Sequence, residues 1–186
     1  MAANMKTTAP PAVGSDRPIL LVGLMGTGKT SIGRRLAKRL GCNFTDSDEQ
    51  VEAAAGMTVS EIFDQFGEAY FRDGERRVLA RLVAEEDGVI ATGGGAFMNA
   101  ETRALMLASG TVVWLDADID TLVQRVARRS TRPLLAGRDP AEVLSALAKE
   151  RSPVYAQAHI HVESGAGPID EMVDTIIANL SREVTP

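Results

Sequence analysis

Between residues 23 and 30 the chain reads "GLMGTGKT", directly behind the apolar run "ILLV". The spacing Gly-x-x-x-x-Gly-Lys-Thr describes a loop whose backbone N–H groups wrap a phosphate chain. Gly23, Gly26 and Gly28 permit close approach and backbone angles that side chains would block. Successive N–H groups then point inward, and the helix start behind the loop favours negative charge. Lys29 is expected to reach the β- and γ-phosphates, and the Thr30 hydroxyl to bind Mg²⁺. A nucleotide loop alone does not make a kinase, because regulatory GTPases use the same device. Neither Asn-Lys-x-Asp nor Thr-Lys-x-Asp, the guanine readers, occurs in this chain. "DQFG" (64–67) mimics a switch motif, but it follows the helically spaced "VSEIF" rather than a buried strand.

An acceptor for the phosphate needs its own polar groups, and several stretches offer them. "FTDSDEQVE" (44–52) carries Asp46 and Asp48 two residues apart, on one face if the segment is extended. One carboxylate then helps hold the magnesium shell while the other accepts from an acceptor hydroxyl. The plainer alternative is capping of the following helix, by Asp48 especially. Arg72 and Glu75 stand three apart in a helical pattern, either as a surface ion pair or as a fork fixed to grip a carboxylate. Gly93, Gly94 and Gly95, in "TGGGAF", are more glycines than a turn needs, and suggest backbone approached closely by a ligand. Arg132 in "RPLL" and Arg151 in "RSPVY" add planar five-donor forks suited to phosphate or carboxylate, and Arg125 lies just upstream.

These groups must be held by a scaffold. "ILLV" (19–22), "NFTD" (43–46), "GVIAT" (88–92), "TVVWL" (111–115) and "AHIHV" (158–162) read as strands, with helical spacing between them, as at Ile32, Leu36 and Leu40. Continuous apolar strands separated by helices predict a parallel sheet covered on both faces, a doubly wound three-layer α/β/α domain. Its ligands bind beyond the carboxyl ends of the strands. The segment 130–143 interrupts the rhythm with two prolines and a glycine, and Asp139-Pro140 restarts a helix. Its neighbourhood of Arg129, Arg132 and Arg138 suggests a mobile lid over about 128–140. Residues 1–17 read as a disordered tail without an apolar signal core, and 18–186 as a single domain.

Composition narrows the partners. Lys and Arg number 20 against 25 Asp and Glu, a net charge of −5, which gives no broad nucleic-acid footprint. No apolar run approaches the ~20 residues of a membrane span. Cys42 is the single cysteine, so no internal disulfide forms and a cytoplasmic setting is expected. Cys42 and Trp114 read as packing residues, and Arg34-Arg35 as a solvated helix face.

In this order and spacing, "GLMGTGKT", "FTDSDEQVE", "EIFDQFGEAYFRDGE", "ATGGGAF", "RPLL" and "RSPVY" resemble the shikimate kinases among the P-loop small-molecule kinases, with a nucleoside-monophosphate-kinase-like fold. The likeness runs from about Ile19 to Val162. It implies a five-stranded parallel sheet, ATP and Mg²⁺, a monomer, and phosphorylation of the 3-hydroxyl of shikimate on the route to chorismate and the aromatic amino acids. By motif, Gly26, Thr27, Gly28, Lys29, Thr30 and Ser31 enclose the ATP phosphates, and Thr30 and Asp46 serve the metal. Asp48 contacts the reacting hydroxyl, while Arg72, Gly93 to Gly95 and Arg151 hold shikimate, with Arg72 and Arg151 on its carboxylate. Arg132 closes over the transferring phosphate and Arg125 lies near the adenine. Gluconate kinase, a nucleoside monophosphate kinase and a non-catalytic nucleotide-binding module are the rival readings. The glycine run and the arginine-proline pairs oppose the first, the want of a base-pocket pattern the second, and the presence of Lys29, Asp48 and Arg132 the third.

Overall fold

The computed structural model describes residues 17–85, 87–127, 135, 137–165 and 167–183. The expected tail up to residue 16, and Arg129 and Arg132 of the expected lid, lie outside that set. The elements run β1 (Ile19–Val22), α1 (Lys29–Leu40), β2 (Phe44–Asp46), α2 (Ser47–Ala55), α3 (Val59–Glu85), β3 (Val89–Ala91), α4 (Ala100–Ser109), β4 (Thr111–Asp116), α5 (Ile119–Ala127), α6 (Pro140–Tyr155), β5 (Ile160–Glu163) and α7 (Ile169–Glu183). All five strands pair in parallel, in the order β2-β3-β1-β4-β5.

Side chains alternate across a strand, and β1 shows what each face buries. Leu20 and Val22 join a cluster with Leu79 and Leu82 of α3, Met106 of α4, Leu122 of α5 and Leu144 of α6. Ile19 and Leu21 enter the opposite cluster, with Ile32 and Leu36 of α1 and Val173 and Ile176 of α7. A strand buried on both sides must be apolar at every position, which is why "ILLV" shows no alternation. The expected three-layer architecture is therefore present. The chain leaves β1 through α1 on one face and β3 through α4 on the other. A crevice opens above the adjacent carboxyl ends of β1 and β3, where a doubly wound sheet receives its ligand.

Local signals settle several element ends. Asp139 caps α6 through its carboxylate, which accepts from the Ala141 N–H at 3.1 Å, and Pro140 follows in the first turn. The "DQFG" stretch lies inside α3, not on a strand edge, and Gly67 interrupts the helix there with φ 79° and ψ 172°. Arg34 lies on an exposed face opposite Glu49, at 3.1 Å. Arg35, by contrast, does more than face solvent. Its guanidinium donates twice to Asp170 of α7, at 2.6 and 2.7 Å. With Arg39 and Asp174 at 2.7 Å, it stitches α1 to α7. Both pairs are exposed, so water and salt screen them and neither adds much to stability. Trp114 packs as expected, buried and stacked on the His161 ring at 4.0 Å between centroids.

Candidate active site

The phosphate loop follows β1 directly. Gly26 and Gly28 adopt φ of 87° and 90°, left-handed angles that L side chains resist, and Gly28 is the N-cap of α1 without any side-chain cap. The first N–H groups of α1 consequently have no acceptor within the helix, and no side chain of the cap supplies one. Such an end, with its partial positive charge, accommodates an anion. Lys29 curls back over the loop, its Nζ donating to the carbonyls of Gly23 at 2.8 Å and Leu24 at 2.9 Å. Thr27 is buried and holds the loop's inner turn, its hydroxyl donating to the Leu24 carbonyl at 2.8 Å. These groups line a cleft of about 310 Å³ together with Asp46, Asp48, Thr92, Gly94, Arg125 and Ser164.

On the far side of the cleft, the Thr30 hydroxyl donates to Asp46 Oδ2 at 2.9 Å, which brings the two expected metal-shell oxygens together. Asp46 Oδ1 accepts from the Asp48 N–H at 3.0 Å, so Asp46 is the N-cap of α2. The sequence expectation of one extended segment through Asp48 does not hold, and neither does capping by Asp48. Strand β2 stops at Asp46, and Asp48 belongs to the first turn of α2. Both carboxylates still line the cleft, Asp48 through the helical turn rather than through strand alternation. Among the described residues, no group of three or more His, Cys, Asp or Glu could hold a metal by itself. A hydroxyl and one carboxylate fit Mg²⁺, which keeps water and phosphate oxygens as most of its six ligands.

Two of the three glycines have a steric cause within the protein itself. A Cβ on Gly93 would fall 2.3 Å from Glu75 Oε1 and 2.8 Å from Asp48 Oδ1. A Cβ on Gly95 would lie 2.5–2.6 Å from Nη2, Cζ and Nη1 of Arg72. These two glycines make room for the protein's own charged groups. Gly94 is under no such constraint, since a Cβ there would make only ordinary contacts, 3.4 Å to the Gly23 carbonyl, 3.8 Å to Met25 N and 3.9 Å to Arg151 Nη1.

Around Gly94 the distant polar groups meet. Arg72 Nη1 donates to Glu75 Oε2 at 2.8 Å and Nη2 to Glu68 at 3.2 Å. Glu75 is 2% exposed, so the pair is no surface ornament. Burial pushes the Glu75 carboxyl above the usual range, against the pull of the Arg72 guanidinium and with help from Asp48. Arg72 is itself part-buried, which opposes its charge, but the carboxylates of Glu75 and Glu68 outweigh that and hold its pKa up. Arg151 Nη1 donates to the Gly94 carbonyl at 3.0 Å, and the Tyr155 hydroxyl donates to the same oxygen. Burial pushes the Tyr155 phenol up to about 12, so it stays a donor throughout the neutral range. Glu75 Oε1 and Arg151 Nε are buried with no hydrogen-bond partner, polar capacity left over in the same cluster.

Arg125 sits on the phosphate loop with no lid needed, its Nη1 donating to the Gly26 carbonyl at 3.2 Å and to Ser164 Oγ at 3.1 Å. Tyr155 and Ser164 were not foreseen. Tyr155 meets Gly94 across 61 residues and Ser164 meets Thr27 across 137, so nothing local in the sequence marks either. Of the site residues, Gly26 to Ser31, Asp46, Asp48, Gly94 and Arg125 line the cleft, while Arg72, Gly93, Gly95 and Arg151 pack around Gly94 and Glu75, and Arg132 falls outside the described residues.

Comparison with known proteins shows the family. A family model described as "Shikimate kinase" matches residues 25–181. The chain is 56% identical over 166 residues to a shikimate kinase of Caulobacter vibrioides, covering 89% of this chain and 83% of that one. To one of Zymomonas mobilis it is 52% identical, covering 89% and 94%. A solved shikimate kinase of Acinetobacter baumannii, in complex with shikimate, superposes with a TM-score of 0.88 at 37% identity, covering 91% of this chain and 96% of that one. By this match over most of its length, the chain belongs to the shikimate kinase family.

Proposed function

We propose that this enzyme transfers the γ-phosphate of ATP to the 3-hydroxyl of shikimate, giving shikimate 3-phosphate and ADP on the route to chorismate. The observation that carries the reading is the meeting at Gly94. A Cβ placed on Gly94 would stand 3.4 Å from the Gly23 carbonyl of the phosphate loop and 3.9 Å from Arg151 Nη1, so this residue adjoins both. A small acid lodged there touches an arginine at one end and a transferring phosphate at the other.

Roles follow from chemistry. Phosphoryl transfer runs through a loose transition state, so positioning and charge neutralisation matter more than a strong base. Backbone N–H groups of Gly26 to Ser31 cradle the phosphates, and Lys29 leaves its loop carbonyls to take the β- and γ-oxygens. Thr30 and Asp46 would hold Mg²⁺, which would supply positive charge against the phosphates. Asp48, beside Asp46 at the head of α2, accepts the hydrogen of the acceptor hydroxyl and aims its oxygen. Arg72 and Arg151 grip the shikimate carboxylate with planar donors, Glu75 keeping Arg72 in place. Arg125 bounds the adenine side, and Arg132 closes over the transferring group as part of a lid spanning about 128–140. Every group named comes from one chain, so a monomer suffices. Among the described residues no helix is long and apolar enough to cross a membrane, which agrees with a cytoplasmic enzyme.

The test is ADP release from Mg-ATP with shikimate, gluconate, AMP, CMP or no acceptor. Turnover confined to shikimate is expected. Turnover with gluconate or a nucleotide instead overturns the acceptor assignment and leaves the phosphate loop standing.

A further inference from the structure

One buried hydroxyl lines the cleft beside the phosphate loop. Ser164 closes the carboxyl end of β5 and is 2% exposed. Its Oγ donates to the Thr27 carbonyl at 3.0 Å and accepts from Arg125 Nη1 at 3.1 Å. A serine has one hydrogen to donate and lone pairs to accept with, and both capacities are used here. The same Arg125 fork donates to the Gly26 carbonyl at 3.2 Å and, through Nη2, to the Gly165 carbonyl at 2.9 Å. Two consecutive carbonyls of the phosphate loop are therefore held from outside, by side chains 99 and 137 residues away.

In a planar trans peptide the C=O and the N–H point in opposite directions. Anchoring the Thr27 carbonyl on Ser164 turns the Gly28 N–H away from β5, into the bend of the loop. That is the direction a phosphate cradle requires. The Thr27 hydroxyl and Lys29 Nζ hold the loop at the Gly23 and Leu24 carbonyls, while Gly26 and Gly28 keep a rotational freedom that other residues lack. Thr27 is 1% exposed, so its carbonyl finds no ready substitute partner once the serine hydroxyl is gone.

We propose that Ser164 is a positioning residue for nucleotide binding: with Arg125 it straps the phosphate loop to the end of β5, presetting the Gly28 N–H toward the phosphates. The inference deepens the kinase reading and rests on it for the identity of the ligand. Because the strap contacts only the nucleotide side, its loss weakens ADP and leaves the shikimate side untouched. One hydrogen bond of this kind, removed from a preorganised loop, is worth about a three- to tenfold change in affinity.

Calorimetric titration of the full chain with Mg-ADP, and separately with shikimate, tests this in wild type, Ser164→Ala and Ser164→Thr. Expected are a three- to tenfold rise in the ADP Kd for Ala, an unchanged shikimate Kd, and an ADP Kd within about twofold of wild type for Thr, which keeps the hydroxyl. An unchanged ADP Kd in Ala, an equal loss for both ligands, or no rescue by Thr overturns the proposal. If the Ala chain does not fold, the wild-type Gly28 amide is read by NMR. It should move downfield and exchange more slowly when ADP is added, and an indifferent amide refutes the strap. ADP titrations need no acceptor, so wild-type turnover with shikimate, measured alongside, reports separately on the kinase reading.

Discussion

Replacing Gly95 by alanine should disable Arg72 without touching it. Gly95 has φ −101° and ψ −9°, angles that alanine adopts freely, so the backbone has no reason to move. The new methyl would stand 2.5 Å from Arg72 Nη2 and 2.6 Å from Cζ and Nη1. Ordinary contact begins near 3.4 Å, so the guanidinium must retreat by roughly 0.9 Å or swing away. An arginine side chain does this cheaply, and Arg72 keeps a route to solvent past Glu68. Its grip on the substrate carboxylate suffers instead. A hydrogen bond to a charged group is worth about 1.5–3 kcal/mol, or roughly 10–150-fold in binding. The Gly95→Ala enzyme is expected to show that rise in shikimate KM with an ATP KM within about twofold of wild type. Its thermal midpoint should drop by no more than a few degrees. The decisive assay is a double-mutant cycle in coupled ADP release. Once Arg72→Ala has removed the obstacle, adding Gly95→Ala should cost almost nothing, whereas independent residues give multiplied losses. A Gly95→Ala enzyme with unchanged shikimate KM, or a cycle showing full additivity, refutes both the contact and the role of Arg72.

Arg132→Ala should lower kcat by roughly 10²–10³-fold with little change in shikimate KM, as expected for a donor used in the transition state, and steady-state kinetics check it. Limited proteolysis around residues 130–139 should slow when a non-hydrolysable ATP analogue and shikimate are both present, and unchanged cleavage counts against lid closure. Glu75→Gln should reshape stability against pH. The folded carboxyl titrates above its ordinary value of 4.5, so the native state binds more protons than the unfolded chain between the two values. The contribution of this group to stability is fully present below about 4.5 and is lost as pH rises through the folded pKa. Urea unfolding of both chains from pH 4 to 8 should show the difference shifting toward Gln as pH rises, and a flat difference contradicts the assignment.

How legible each part was depends on the range of the physics behind it. The phosphate loop is a local device: left-handed angles at Gly26 and Gly28, and a helix start behind them, require particular residues at fixed spacing. Strands β1, β3 and β4 betray themselves because burial on both faces leaves no room for polar alternation. Asp46 and Asp48 were harder, since the exchange of strand for helix falls between them and a one-residue boundary decides which of them caps. For Gly93 and Gly95 the cause sits on other elements, in Glu75, Asp48 and Arg72, and no window of sequence around residue 94 contains it.

The same contrast separates the two halves of the active site. Phosphates are bound mainly by backbone, so the nucleotide half tolerates Met25 and Thr27 where the motif leaves positions open, and many unrelated reactions can use it. The acceptor half is made of side chains from α2, α3 and α6 meeting the loop after β3. Its shape therefore depends on how four segments pack, and a glycine there matters for what it lets past. Substrate choice within such folds should accordingly change through residues like Gly93 and Gly95, whose missing side chains decide where Asp48 and Arg72 can stand.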